Sequence, residues 1–262
     1  MAQRVQAAPR IVAREEYRAS RLAFLRGVVD LERAEGLEVG ALDFPTVLPG
    51  AGRCAIADSR SADELARLFG IERATIPDTD YLVAKDRALA DQIARRFDYV
   101  VLCHVLEHVP DPIRFLNEIA ELLRPGGVLV LAIPDKRHTP DASRPSSTVE
   151  QLLESHYRRA TTPSLAQIME FARTWLDEWR ALAARSPREF YDWAVRQLES
   201  GQADVHCNVW RDEELFAQLD YLDAGGFLPR LTPCARAAND GELNEFYVAL
   251  RARDGSNPAM AG

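Results

Sequence analysis

Residues 97–134 constrain the fold more than any other stretch of the chain. Phe97-Asp98-Tyr99-Val100-Val101-Leu102 turns fully apolar, as a strand of a parallel sheet covered on both faces does. Asp111-Pro112 supplies a helix N-cap followed by proline at the first helical position. Ile113, Leu116, Ile119, Leu122 and Leu123 then recur on one helical face, Gly126-Gly127 ends the helix, and residues 128–133 form a second buried strand. Strand, helix and strand in that order make a parallel crossover unit, which cannot stand alone and predicts a larger α/β sheet.

The flanking sequence supplies that sheet. Residues 10–34 have helical periodicity through Ile11, Tyr17, Leu22, Leu25 and Val29. A short strand, Leu37–Gly40, runs into a turn-rich segment, and residues 53–58 form another strand ending in an acid. Ser61, followed three residues later by Glu64, opens a helix as a capping box. A weaker strand is expected near residues 74–83, a helix over 213–222, and two last strands near 227–234 and 245–251. Between them, residues 141–202 carry helical patterns rich in charges and aromatics. The expected organisation is an N-terminal helical segment (1–35), an α/β core (36–140 and 203–252), a helical insertion or lid (141–202) and a disordered tail (253–262).

Composition narrows the function classes. With 47 % apolar residues a chain of 262 has ample core, yet no apolar run reaches the roughly 18 residues of a membrane span. The first residues, broken by charges, lack the apolar block of a secretion signal, so a soluble, cytoplasmic protein is expected. A net charge of −8 argues against capture of nucleic acid, which needs clustered Lys and Arg. The four cysteines are scattered without a CxxC pair, which fits reduced thiols rather than a disulfide framework or zinc knuckle.

In an open parallel sheet, ligands bind beyond the carboxyl ends of the strands. Three such ends carry polar or small residues here: Glu38-Val39-Gly40-Ala41, Asp58 and Cys103-His104. The run FDYVVLCHVLEHVPDPIRFLNEIAELLRPGGVLVLAIPD, with its VLEH-VPDP and LRPGG elements, resembles the class I S-adenosylmethionine-dependent methyltransferases between their fourth and fifth strands. With weaker matches on either side, the resemblance covers roughly residues 36–135 and 205–251. It implies a Rossmann-like, seven-stranded, mostly parallel sheet with helices on both faces and a helical insertion. The glycine-rich loop departs from the family: only Gly40 stands where a usual member has three glycines, and Ala41, Leu42, Asp43, Phe44 and Pro45 follow it.

The resemblance implies roles residue by residue. Gly40 and Ala41 would pass close to the cofactor's carboxypropyl group, with Glu38 bracing the turn. Asp58 would accept from both ribose hydroxyls, Leu82 and Val83 (or Asp80 and Tyr81) would face the adenine, and Cys103 and His104 would line the floor beside the sulfonium. The bland reading makes Asp58 a turn cap and Cys103 core. His104, His138 and His206 are the candidate bases for a small-molecule acceptor, a glycan or natural-product intermediate, with transfer to oxygen or nitrogen. Arg137 and Arg144 would hold an anionic substrate or sit in a solvated loop, and the aromatic insertion would cap the pocket or pair with a second copy as a homodimer.

Two further readings stay beside this one. His104, Glu107 and His108 share a face at helical spacing and with His206 can surround one ion, giving altered, metal-dependent chemistry. A Glu-His pair before a Val-Pro turn also serves packing alone, and the metal-free reading is preferred. A catalytically silent scaffold is the other. A nicotinamide dehydrogenase shares the acid after the second strand, but one glycine leaves it no pyrophosphate cradle.

Overall fold

A computed structural model describes residues 13–84, 86–201 and 203–254. Seven strands run in the order β3-β2-β1-β4-β5-β7-β6. They are β1 (Glu35–Val39), β2 (Arg53–Asp58), β3 (Tyr81–Leu82), β4 (Phe97–Cys103), β5 (Leu123–Pro134), β6 (Leu231–Ala237) and β7 (Glu245–Ala252). Only β7 opposes the others. The nine helices among the described residues are α1 (Arg14–Val28), α2 (Ala62–Phe69), α3 (Leu89–Gln92), α4 (Pro112–Leu122), α5 (Val149–Tyr157), α6 (Leu165–Trp175), α7 (Asp177–Arg185), α8 (Pro187–Ser200) and α9 (Asp212–Ala224). This is the Rossmann-like, mostly parallel sheet with helices on both faces.

Alternation along the central strands divides the core in two. Val100, Leu102, Leu129 and Leu131 face α4 and α9, whereas Tyr99, Val101, Val128 and Val130 face Leu25 of α1 and Val47. The caps form as their residues predict. Ser61 Oγ accepts from Glu64 N while Glu64 Oε2 accepts from Ser61 N, and Asp111 Oδ1 accepts from Arg114 N. The end of α4 differs from the expectation, because it stops at Leu122 and the chain is already extended at Leu123. Gly127 is there for close approach: a Cβ would lie 2.9 Å from Arg124 O and 3.1 Å from Asp98 O.

Three boundaries move. β3 is only two residues long, and β6 starts at Leu231 rather than near 227. The aromatic segment is not one unit, because Leu152 of α5 belongs to the main core. A separate apolar cluster forms from Ile168 of α6, Ala194 of α8, Val205 and Cys207, with Trp193 packed against it and Trp179 stacked on Trp193 at 4.1 Å. Ile11 and the expected tail beyond Asp254 lie outside the described residues.

The connection from β1 to β2 matters most for the site. Parallel neighbours are usually joined through a helix, but residues 40–52 cross as an irregular ribbon. Two features hold it. The buried Glu38 carboxyl accepts from Thr46 N at 2.8 and 2.9 Å. On the outside, Arg14, Arg18 and Arg21 of α1 gather over the Phe44 ring at 4.5–5.0 Å, Arg14 Nη1 pairs with Asp43 Oδ2 at 2.7 Å, and Arg18 Nε donates to Pro45 O.

Candidate active site

The strand register brings the first and second motifs together. Val39 is level with Ala57 on β2 and with Leu102 on β4, so Gly40, Asp58 and Cys103 leave adjacent strands at one rim. Gly40 N donates to Ala57 O at 3.0 Å. Gly40 has φ +73°, and a Cβ there would press Val105 Cγ2 at 3.1 Å, so both conformation and space call for glycine. Leu42, also left-handed at φ +47°, turns its side chain onto Ala62, Leu65 and Ile76 beside α2. Phe44 turns the other way, beneath the arginines of α1.

The individual residues sort as follows. Glu38 does brace the turn, and burial pushes its carboxyl pKa up. Ala41 is buried. Asp58 Oδ1 accepts from Arg60 N at 3.1 Å, so it shapes its own turn, and a carboxylate has about four acceptor sites with which to meet other groups too. Leu82 is exposed at the sheet edge, whereas Val83 packs into the main core. Asp80 Oδ2 accepts from Ile56 N, and Tyr81 lies edge-on to Phe97. Cys103 Sγ is 3.2 Å from Thr46 Oγ1, and burial pushes its thiol pKa up to about 12.

His104 has backbone φ +53°, rare for a residue with a side chain. Its Nε2 lies 2.8 Å from Glu245 Oε2. Glu245 also accepts from Arg21 through Nε (2.9 Å) and Nη2 (2.7 Å) and from the Tyr247 hydroxyl at 2.8 Å. Burial pushes the Glu245 carboxyl up, but the hydrogen bonds from His104 and Arg21 outweigh it and hold the pKa at about 2. No local pattern announces this network, since Arg21 and Glu245 meet only through the fold.

The other two histidine candidates part company. His138 is exposed in the turn after β5 and makes no side-chain hydrogen bond among the described residues. His206 is buried against Trp175 and Phe171 of α6, with ring centroids 4.9 and 5.3 Å away, and its Nδ1 is 2.6 Å from Asp141 Oδ2. Both arginines pair with acids of the protein itself, Arg144 while buried and Arg137 while its side chain stays 38 % exposed. Arg137 pairs with Asp135 and Asp212 at 2.5 and 2.6 Å. Arg144, 5 % exposed, donates to Asp141 Oδ1 and to His206 O.

Glu107, His108 and His206 converge, one potential ligand atom of each lying within 4.8 Å of the others. A shallow hollow of about 410 Å³ beside Val29, Asp98 and Arg251 lies at the opposite rim.

The sheet order, the glycine turn and the acid beside it define a class I, Rossmann-like methyltransferase architecture. The chain belongs to the family described as "Methyltransferase domain", whose model matches residues 28–220. A ubiquinone biosynthesis O-methyltransferase of Xanthomonas oryzae pv. oryzae is 35 % identical over 116 residues, 43 % of this chain and 48 % of that protein. The chain thus spans about half the length of the first curated relatives it matches. The protein of the same name from Parvibaculum lavamentivorans is 26 % identical over 82 % of this chain and 69 % of its own. Among solved structures, a Rhodobacter sphaeroides chain described as a Zn-dependent alcohol dehydrogenase superposes with TM-score 0.52 at 16 % identity, over 94 % of this chain and 92 % of that one. At that identity the likeness is one of fold.

Proposed function

We propose that this chain transfers a methyl group from S-adenosylmethionine to a hydroxyl oxygen of a small molecule. One observation carries the reading: the left-handed turn at Gly40, braced by Glu38, and the carboxylate of Asp58 leave neighbouring parallel strands side by side. A carboxylate suits a vicinal diol, and Gly40 and Ala41 let backbone come close to the amino-acid end of the cofactor. Bound there, S-adenosylmethionine supplies a methyl on a positively charged sulfur, so the protein has chiefly to orient and to move a proton. Oxygen is favoured over nitrogen because the curated relatives are named O-methyltransferases.

Among the three histidines, His104 is the one for the proton. It stands at the carboxyl end of β4 beside Cys103, and Glu245 fixes its ring through Nε2. With Nε2–H donated to Glu245, Nδ1 is the acceptor for the proton of the substrate hydroxyl. The lid reading attaches to α6–α8, whose helix α6 presents Phe171 and Trp175 to His206.

Titration calorimetry with S-adenosylmethionine and S-adenosylhomocysteine tests the reading. Asp58→Ala removes two charge-assisted hydrogen bonds to the ribose, each worth about 1.5–3 kcal/mol, so both ligands bind much more weakly. Equal affinity for the wild type and the variant overturns the placement, and absence of binding to the wild type overturns the function.

A further inference from the structure

One acid at the rim has no counterpart in the methyl-transfer reading. The Glu107 side chain is 1 % exposed, and neither of its carboxyl oxygens has a hydrogen-bond partner. A buried carboxyl without a partner is costly, and native structures rarely keep one without a reason. Around it stand three imidazoles. His104 Nδ1 and His108 Nε2 each lie 4.0 Å from Glu107 Oε1, and the His206 ring sits edge-on to that of His108 at 4.8 Å.

His104 and His206 are each tethered through one ring nitrogen to a carboxylate, and His108 has a carboxylate beside its own. Glu245 takes His104 Nε2 at 2.8 Å, Asp141 takes His206 Nδ1 at 2.6 Å, and Asp204 Oδ1 lies 2.8 Å from His108 Nδ1. A carboxylate holding one ring nitrogen fixes the tautomer and turns the second nitrogen's lone pair inward, which is how protein metal sites orient their histidines. The backbone is fastened as well. Asn208 N donates to Glu107 O at 3.0 Å, Asn208 Nδ2 donates to Val109 O at 2.8 Å, and Arg144 Nη2 donates to His206 O at 3.0 Å.

We propose that Glu107, His108 and His206 form a binding site for one divalent transition-metal ion. Two imidazoles and a carboxyl select ions such as zinc, manganese, cobalt or iron(II) over magnesium and calcium, which take oxygen-only shells. The ligand atoms, within 4.8 Å of one another, close by side-chain rotation to the ~3.4 Å that four-coordinate bonds of about 2.1 Å require. The proposal departs from the metal-free reading preferred from sequence on one observation that sequence cannot give: Glu107 is buried without a hydrogen-bond partner. His104 and His108 are each about one-third exposed, so the ion keeps a coordination position open on that side. Where the methyl-transfer reading holds, the substrate oxygen fills this position. Its hydroxyl becomes more acidic on the ion and gives its proton to His104 Nδ1.

The test uses the full chain, purified without an affinity tag and stripped with a chelator. Zinc, manganese and cobalt are titrated by calorimetry and by thermal shift, with magnesium as control. We expect one ion per chain, a thermal shift, and visible ligand-field bands when cobalt fills the site. Glu107→Gln and His206→Ala should each weaken zinc binding by more than about 100-fold, and Asp141→Asn by about 10–100-fold through its hold on His206. Metal-free Glu107→Gln should melt no lower than metal-free wild type, which separates ligand loss from misfolding. The proposal is overturned if the wild type takes up no transition metal, if Glu107→Gln binds zinc as tightly as wild type, or if that variant melts lower without metal. S-adenosylhomocysteine titrated into the same metal-free samples reads the methyl-transfer proposal separately, since its ligands are on β1 and β2.

Discussion

Two buried carboxyls, Glu245 and Glu107, stand at the same rim, and His104 lies between them. Glu245 is saturated: Arg21 grips it twice, and His104 and Tyr247 complete its shell. Glu107 is equally buried, and neither of its oxygens has a hydrogen-bond partner. The contrast separates architecture from function. A filled polar network fixes α1, β4 and β7 to one another, whereas an unfilled carboxyl facing tethered imidazoles is a place where something else binds.

The sharpest way to break the contrast is to strip Glu245 of its cation. Arg21→Ala leaves a buried carboxylate short of its strongest partner and should cost ~3–5 kcal/mol in denaturant unfolding. A loss below 1 kcal/mol would mean that the Glu245 network is no more structural than Glu107. Glu245→Gln keeps the shape, loses charge assistance, and should cost about 1.5–3 kcal/mol. The acid limb of stability sharpens the same point. Glu245 is held at about 2 against its ordinary 4.5, so its contribution is complete above 4.5 and drains away as the pH falls towards 2. In Glu245→Gln that limb should flatten, as followed by circular dichroism across a pH series.

Smaller effects belong to the turn and to the other carboxyl. Gly40→Ala forces a side chain into a left-handed conformation, costs about 1–2 kcal/mol, and should lower affinity for S-adenosylhomocysteine. The smallest change is expected at Glu107→Gln, whose metal-free unfolding free energy should lie within about 0.5 kcal/mol of wild type or above it. A large loss there would make the two carboxyls alike.

What could be read from sequence was local. The cap at Asp111, the capping box at Ser61 and the strands around α4 follow from residues a few positions apart. The seven-stranded, mostly parallel sheet followed from the family resemblance. Turn chemistry at residues 41–52 was readable too, but not that the ribbon replaces a helix altogether. The meeting of Arg21 with Glu245 left no trace in any window, because the fold alone brings them together. Glu107 had a signal, two histidines at helical spacing around it, yet that spacing is the same whether the acid is satisfied or not. Burial without a partner is a three-dimensional fact. Arg144 shows the reverse error: a charged residue in a loop reads as solvated until Asp141 and the chain at His206 enclose it.

The arginines of α1 have a consequence beyond packing. Arg14 and Arg18 clasp the ribbon near the proposed cofactor end, and Arg21, a turn further along, neutralises the acid that steers His104. One helix outside the sheet therefore acts as a handle on both halves of the rim. Any force that lifts it, whether a docking protein or a cut in the chain, withdraws three cations in a single motion and slackens both halves together.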